Sequence, residues 1–246
     1  MGAKHPTALE AEYARKLRKV ANVVGDMINH HTIIEKDKVT GQIKIVLHHG
    51  LQELLKKYSE SITPFAERLA MDMINRVDKN NAKWWNANAK KFSKQLQSDR
   101  FASMNGLIAT KLQNEQVTLI KSLPLQAGQR AQELAIKAHT EGMRAADIVD
   151  EIRRSGDITA SRANTIARTE IAKANATFTR ARATYVGANK YIWHTMKDEN
   201  TRDSHLEMDG KICDYDNPPT LSDGNSVNAG EFVNCRCYSE PVLSKD

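Results

Sequence analysis

This chain has few of the residues that mark secreted, disulfide-linked or membrane-spanning proteins. It contains three cysteines in 246 residues, and aromatic residues make up 6% of it. No run approaches the ~20 consecutive apolar residues that a transmembrane helix needs. The opening Met1-Gly-Ala-Lys-His-Pro6 contains no apolar signal-peptide core, and Pro6 stands where a myristoylation signal needs Ser or Thr. We therefore expect a protein that is made and kept in a cytosol and does not contact a membrane.

Motifs of the common enzyme classes are also absent. The sequence has no Gly-rich phosphate loop, no nucleophile elbow and no HExxH helix. A hydrophobic content of 40% is sufficient for a folded chain, and the stretches rich in alanine, lysine and glutamine favour helix. From these absences we expect a protein that is not an enzyme.

Charge is distributed unevenly along the chain. The net charge is +6, but residues 197–246 hold five Lys/Arg against eleven Asp/Glu and so carry −6, which leaves +12 on residues 1–196. A basic body of this kind would contact DNA or an acidic protein surface, and the acidic end would contact a basic one. A solvated lysine-rich helix surface without a partner explains the same pattern.

Apolar periodicity predicts helices over most of the chain. The predicted helices span residues 8–35, 44–59, a segment starting at Thr63-Pro64, 107–121, 129–141, 147–154 and 159–186, with a turn at 37–41. Pro124 and the pair Ser155-Gly156 are interpreted as helix ends. The heptad-like stripe of the last helix indicates packing against another helix, from the same chain or from a second copy.

The predicted fold class is mainly α, with an elongated helical body and a small C-terminal α+β module of short strands and loops. We divide the chain into a helical N-terminal region at 1–125, a helical segment at 126–188 and a Cys/His-containing module at 189–246. Strands are predicted in the module at 191–195, 231–233 and 238–242.

The clustered cysteines indicate a zinc site in this module. His205, Cys213, Cys235 and Cys237 supply nitrogen and sulfur ligands in the number that a closed tetrahedral Zn2+ site needs. Both sulfurs of the Cys-x-Cys pair can face one ion only if the backbone turns locally. The alternative is that the cysteines are small buried residues and that His205 is a hydrogen-bonded core residue.

Three polar residues offer a catalytic alternative. On a helical turn, Asp198 and His205 would pair as a general base and Arg202 would bind phosphate, as in a metal-dependent nuclease. An ordinary helix cap and ion pair explains the same residues, and we assign no catalytic residue.

Other polar and aromatic residues receive structural interpretations. Arg168 and Glu170 do not share a helix face, and we expect an ion pair with another segment. The pair Trp84-Trp85 either stacks on bases or anchors a helix to its core, and we favour the anchor. The pairs His30-His31 and His48-His49 are interpreted as surface residues.

Several segments together resemble the minor head protein family of tailed bacteriophages, which is typified by protein F of phage Mu and often called head morphogenesis proteins. The similarity runs in order through residues 130–243. Its motif residues are Arg168, Glu170, Trp193, Asp198, Arg202, His205, Gly210, Asn234, Cys235, Arg236 and Cys237, with Pro218-Pro219 between them.

The resemblance implies a structural or assembly component of the prohead and virion near the portal vertex, which influences DNA packaging or ejection. Its implied partners are the portal protein and other capsid or scaffold proteins, with DNA near the basic helical body. The protein would be made in the bacterial host cytoplasm and located in the virion. Cys213 lies in a stretch without a clear match, so Asp198 or His194 becomes an alternative fourth ligand. A metal-dependent nuclease and a non-specific DNA-binding protein stay as alternative functions.

Overall fold

The fold was obtained as a computed structural model. It describes residues 3–36, 43–47, 50–88, 98–141, 145–199 and 201–242. The turn predicted at 37–41 lies outside these residues. About 70% of the described residues are helical, and a small antiparallel sheet lies near the C-terminus, which confirms the mainly α fold class.

The elements follow one another in a simple order. The helices of the described residues are α1 (Thr7–His31), α2 (Leu51–Ser61), α3 (Thr63–Asn88), α4 (Ser98–Glu141), α5 (Ala145–Tyr185) and α6 (Asp203–Leu206). The strands are β1 (Thr32–Lys36) and β2 (Ile43–Leu47), which follow α1, then β3 (Lys190–His194), β4 (Ile212–Asp214) and β5 (Tyr238–Val242) near the C-terminus.

The chain forms two compact units, and each is assembled from separate segments. The sheet unit comprises residues 1–13, 69–115 and 165–246, and the hairpin unit comprises residues 14–68 and 116–164. The three consecutive regions predicted from the sequence stay a prediction.

In the hairpin unit, a close approach of two helix backbones explains why α5 does not end at Ser155-Gly156. A Cβ atom built on Gly156 would lie 3.1 Å from the Cα of Gly25 on α1. The prediction of a helix end was wrong, because this glycine permits a close crossing and does not terminate the helix. Thr159, the first residue of the helix predicted at 159–186, lies inside α5 and donates from Oγ1 to the carbonyl of Ser155.

Pro124 lies inside α4, so the helix end predicted there was also wrong. A proline inside a helix costs about 3 kcal/mol. Ile120 and Leu123 before the proline and Ala127 and Ala131 after it are all 2% exposed or less. Burying an isoleucine or leucine side chain contributes about 1.5–3 kcal/mol, so the apolar face on both sides of Pro124 outweighs the cost of continuing the helix.

The region after α1 corrects two helix predictions. Thr32, Ile33 and Ile34 are β-branched, and here α1 gives way to β1. Strands β1 and β2 pair antiparallel, in a register that runs from Thr32↔Leu47 to Lys36↔Ile43. The helix predicted at 8–35 is therefore shorter, and the one predicted at 44–59 begins only at Leu51.

In the sheet unit, β3 is the central strand, with β4 and β5 paired antiparallel on its two sides. The strands predicted at 191–195 and 238–242 are confirmed as β3 and β5. Residues 231–233, predicted as a strand, form turns, and the three-residue β4 was missed.

The core of the sheet unit settles the interpretation of the tandem tryptophans. Trp85 is 1% exposed and lies in a cluster of buried side chains that includes Tyr191 and Trp193. Trp84 is partly buried against the same cluster and meets Trp85 edge-on, with ring centroids 5.6 Å apart. The interpretation of Trp84-Trp85 as a helix anchor is confirmed.

Candidate functional site

The sheet unit brings one histidine and two cysteines together. His205 lies on α6, whereas Cys235 and Cys237 lie in the segment before β5. The Nδ1 atom of His205 is 3.4 Å from the Sγ atom of Cys235 and 3.4 Å from that of Cys237. The ligand atoms of all three residues lie within 4.8 Å of one another, and the residues are only 2%, 4% and 6% exposed. Three of the four residues predicted as zinc ligands thus meet at one buried point.

The backbone of the Cys-x-Cys segment makes the local turn that such a meeting requires. Asn234 adopts a left-handed conformation with φ 62°, and the Cys237 amide donates to the Cys235 Sγ atom over 3.2 Å. Gly230 has φ +87°, and a Cβ built there would lie 2.9 Å from the Cys237 carbonyl oxygen and 3.2 Å from the Ala176 Cβ on α5. A side chain at position 230 would therefore push the cysteine segment away from α5.

The two thiols share their protons unequally. A hydrogen bond from the Cys237 thiol lowers the pKa of Cys235 to about 4 against the opposing effect of burial, and the His205 ring acts in the same direction as that hydrogen bond. The interaction with Cys235, followed by burial, raises the pKa of Cys237 above its ordinary value. The hydrogen bond between the two residues thus favours the thiolate form of Cys235 and the thiol form of Cys237.

Aromatic rings enclose the imidazole of His205. The Trp193 ring is perpendicular to it at a centroid distance of 5.5 Å, and the Phe232 ring is nearly perpendicular at 5.7 Å. The buried Nε2 atom of His205 has no hydrogen-bond partner among the residues that the structure describes. The two rings pack against the imidazole, and its Nδ1 atom faces the sulfurs.

A buried carboxylate, Glu10 on α1, joins the first helix to this region. It accepts hydrogen bonds from Arg168 Nε at 3.2 Å and from Arg236 at 2.8 and 3.0 Å, and it lies 2.6 Å from His5 Nε2. Burial alone would raise the pKa of Glu10, but the hydrogen bonds from His5, Arg236 and Arg168 together hold it well below its ordinary value. The carboxylate is therefore charged across the whole physiological range.

The same two arginines connect the motif segments. Arg168 donates to the Asn234 side-chain oxygen at 2.9 Å, and Arg236 donates to the Asp198 carboxylate at 2.9 Å. The Asn234 amide in turn donates to the Thr169 hydroxyl at 2.9 Å. The expected ion pair of Arg168 with another segment is thus present, and its partner is Glu10.

Between the cysteine cluster and the ion network lies a cavity of about 10 Å³. Its lining includes Asp198, Thr201 and Arg202 together with the three clustered residues. A buried water needs about this much space. The cavity therefore has room for one water molecule or one ion and not for a nucleotide or a sugar.

Two further candidate ligands lie elsewhere in the sheet unit. Cys213 is outside the group of three. Its Sγ atom lies 3.9 Å from the Lys211 carbonyl, and burial raises the pKa of this thiol. His194 pairs with Glu240 at 2.7 Å and stacks on the Tyr238 ring. Of the two alternative fourth ligands, Asp198 is the one that lines the cavity.

The geometry of the catalytic alternative is not formed among the described residues. Helix α6 begins at Asp203 with Arg202 as its N-cap, so Asp198 lies outside the helical turn that carries His205. The Asp198 carboxylate binds Arg236 and accepts a hydrogen bond from the Thr201 hydroxyl at 3.0 Å, whereas the His205 Nδ1 atom faces sulfur.

The remaining motif residues have structural contacts. The Arg202 guanidinium lies 4.8 Å from the centroid of the Phe232 ring, and Glu170 is 8% exposed. Gly210 has φ +83° and donates its amide to the Trp193 carbonyl at 2.8 Å, which closes the turn before β4.

The prediction that the two histidine pairs lie at the surface can be compared with the structure for the first pair. His30 is exposed and His31 is partly buried, and each ring bonds a backbone carbonyl of α1, at Asp26 and Met27. His48 and His49 lie outside the described residues.

Glu10 and His5 were missed by sequence reasoning. Glu10 is an acidic residue in the first turn of a helix, where such residues are common because of the helix dipole. It is separated from Arg168 by 158 residues and from Arg236 by 226 residues. No local signal distinguishes it from an ordinary capping charge.

The comparisons with known proteins agree with the motif residues. Residues 129–240 match the family described as "Phage Mu protein F like protein". This match confirms the resemblance drawn from the sequence, and the chain contains a domain of that family at these residues.

A relative extends the similarity beyond that domain. An uncharacterized protein of Haemophilus influenzae is 34% identical to the chain over 205 residues, which cover 80% of this chain and 44% of that protein. The chain thus spans less than half the length of this relative. No solved structure matches the chain significantly. Among the described residues, no helix has the length and apolarity needed to cross a membrane.

Proposed function

We propose that this chain is a minor structural component of a phage head, present in the prohead and virion near the portal vertex. Its partners are the portal protein and other capsid or scaffold proteins, and its position there influences DNA packaging or ejection. The Mu F-like domain at residues 129–240 supports a head-related role.

The closed character of the motif region is the structural observation that carries this role. Motif residues from α5, the loop after β3 and the segment before β5 converge, and the charges of Arg168, Arg236 and Asp198 are paired through Arg168–Glu10, Arg236–Glu10 and Arg236–Asp198 contacts. The adjoining cavity of about 10 Å³ is far smaller than the roughly 300–1,000 Å³ of ordinary ligand pockets. Such a region stabilises a fold, whereas a nuclease needs an open cleft with free carboxylates.

The test is quantitative mass spectrometry of purified proheads and virions from the phage or prophage that encodes the chain, combined with chemical crosslinking. We expect a few copies per particle and crosslinks to the portal protein. A nonsense mutation early in the gene is the matched control, and it should remove the peptides and crosslinks together. Absence of the chain from proheads and virions alike would overturn the proposed role.

Contact with DNA is a second candidate function, favoured by the charge distribution. Residues 1–196 carry +12, so this part of the chain would neutralise phosphates without reading base sequence. Affinity for a short duplex should fall about tenfold between 50 and 200 mM salt for every two phosphates that are neutralised. Scrambling the duplex sequence should leave the affinity unchanged. Negligible binding at low salt would exclude this function.

A further inference from the structure

The distances in the His205, Cys235 and Cys237 cluster match those of a metal site. Zinc bonds of about 2.3 Å to sulfur and about 2.0–2.1 Å to nitrogen place the nitrogen of a tetrahedral site about 3.6 Å from each sulfur. Both nitrogen–sulfur distances in the cluster are 3.4 Å. The two nitrogen–sulfur distances are thus within about 0.2 Å of those that a tetrahedral zinc ion sets, and the three ligand atoms lie within 4.8 Å of one another.

Hydrogen bonding alone accounts less well for this arrangement. A neutral imidazole nitrogen either donates one hydrogen bond or accepts one. Nδ1 of His205 nevertheless has two sulfurs at the same distance, and both belong to residues that are at most 6% exposed. A single ion that contacts all three atoms explains the convergence of two sulfurs on one nitrogen.

The charges around the cluster also suit a divalent ion. Two thiolates would neutralise a 2+ ion, so the buried centre would carry no net charge. Two of the three guanidinium groups that line the cavity are paired with carboxylates, Arg168 with Glu10 and Arg236 with both Glu10 and Asp198. The third, Arg202, lies over the Phe232 ring and donates to the Val233 carbonyl. Two sulfurs and one imidazole are the ligand set that favours zinc over magnesium or calcium.

A fourth ligand is available from the cavity. The cavity of about 10 Å³ borders His205, Cys235, Cys237 and Asp198, and it has room for one water. The Asp198 carboxylate is already held by Arg236 and Thr201. We propose that His205, Cys235 and Cys237 bind one Zn2+ ion and that a water molecule in this cavity fills the fourth position beside Asp198.

The ion would serve as a cross-link within the sheet unit. His205 is 30 residues from Cys235 and 32 residues from Cys237 in sequence. Helix α6 has four residues and no side-chain cap at its N-terminus, so little local structure holds His205 in place. The free energy of metal binding would then contribute directly to the folding of this loop-rich region. This role concerns the isolated chain and does not depend on its place in a phage head.

The first test measures metal on the full-length protein, purified under reducing conditions without chelator. Elemental analysis should find about one zinc per chain. Replacement by Co2+ should give the visible bands of a tetrahedral ion and a near-ultraviolet thiolate-to-cobalt band. Cys235→Ser, Cys237→Ser and His205→Gln should each lower zinc affinity by more than the roughly 10–100-fold that follows loss of an outer-shell partner.

Cys213→Ser is the matched control, because Cys213 is also a buried cysteine of this unit but lies outside the cluster. It should keep the zinc and the cobalt spectrum. Asp198→Ala should also keep the ion, since water supplies the fourth ligand, and loss of the ion from this variant would overturn the assignment of water.

A second measurement uses the wild-type chain, so that a variant that fails to fold does not decide the question. Removal of zinc by a chelator should lower the Tm, and added Zn2+ but not Mg2+ should restore it. Three results would overturn the site: a reduced, folded chain that binds neither Zn2+ nor Co2+; a native Cys235–Cys237 disulfide, seen as a mass lower by two hydrogens; or equal zinc loss in Cys213→Ser and Cys235→Ser.

Discussion

Replacing Glu10 with alanine should destabilise the sheet unit far more than an ordinary loss of a surface ion pair. The change removes the carboxylate shared by Arg168 and Arg236, whose side chains are only 23% and 22% exposed. Removing one partner of a buried pair costs about 3–5 kcal/mol. Each arginine stays partly exposed to solvent and retains a second partner, Asn234 for Arg168 and Asp198 for Arg236. We therefore expect Glu10→Ala to lower the free energy of unfolding by about 2–3 kcal/mol.

The matched control lies two residues further along the same helix. Glu12 binds Arg76 through two hydrogen bonds of 2.7 Å, a geometry as good as that at Glu10. The two side chains are 29% and 39% exposed, however, so solvent screens the pair. Glu12→Ala should therefore cost less than about 1 kcal/mol.

Urea denaturation at pH 7, followed by tryptophan fluorescence, measures both changes. Trp84, Trp85 and Trp193 all lie in the sheet unit, as do Glu10 and Glu12, so the signal reports the relevant unit. The free energy of unfolding comes from the midpoint and slope of each curve. Equal losses for Glu10→Ala and Glu12→Ala would refute the reasoning, because burial would then not distinguish the two pairs.

Lowering the pH should reduce the difference in the free energy of unfolding between the wild type and Glu10→Ala. The folded-state pKa of Glu10 lies below its ordinary value of 4.5, so its contribution to stability is fully present above that value. As pH falls below 4.5, the unfolded chain takes up a proton that the folded chain does not, and the contribution is progressively lost. Urea denaturation curves of both proteins at pH 7 and pH 3 measure this difference. A difference that is as large at pH 3 as at pH 7 would contradict the prediction.

Two further substitution pairs test packing. Alanine in place of glycine usually stabilises a helix by roughly 0.5–1 kcal/mol. Gly156→Ala should lack this gain, because its Cβ would meet the Gly25 backbone, whereas Gly106→Ala should show it, since no atom of the described residues lies within 4 Å of a Cβ there. Equal changes in the urea midpoint would refute the close crossing. Trp85→Ala should cost about 3–5 kcal/mol and Trp84→Ala less than half of that, measured by circular dichroism during thermal unfolding, and the reverse order would contradict the anchor assignment.

Sequence patterns predicted the helical class because apolar periodicity is a local signal. The same patterns misplaced the helix ends at Gly156 and Pro124, where packing decided the outcome. Glycine is common at helix ends, but Gly156 lies where α5 approaches the backbone of Gly25, which is 131 positions earlier in the chain. Pro124 is retained inside α4 because buried residues on both sides favour one continuous helix.

The candidate site was predictable to a similar extent. The scarcity of cysteine pointed to His205, Cys235 and Cys237, and the structure brings them together. Cys213 is also a cysteine and is close in sequence, yet its position in β4 keeps it outside the group. The number of potential ligands in the sequence does not show how the strands pair, so this exclusion could not be predicted. The role of Glu10 could not be predicted from the sequence, since it depends on two arginines that are far away along the chain.

The long separation between Glu10 and Arg236 has a consequence for the order of folding. Closing a loop of 226 residues costs about 2 kcal/mol more chain entropy than closing the 30 residues between His205 and Cys235. Local contacts of the cysteine segment should therefore form before the first helix docks onto it. A fragment limited to residues 129–240 would retain Arg168 and Arg236 but lack their carboxylate. The boundary drawn by sequence similarity thus separates two motif arginines from the carboxylate that they share.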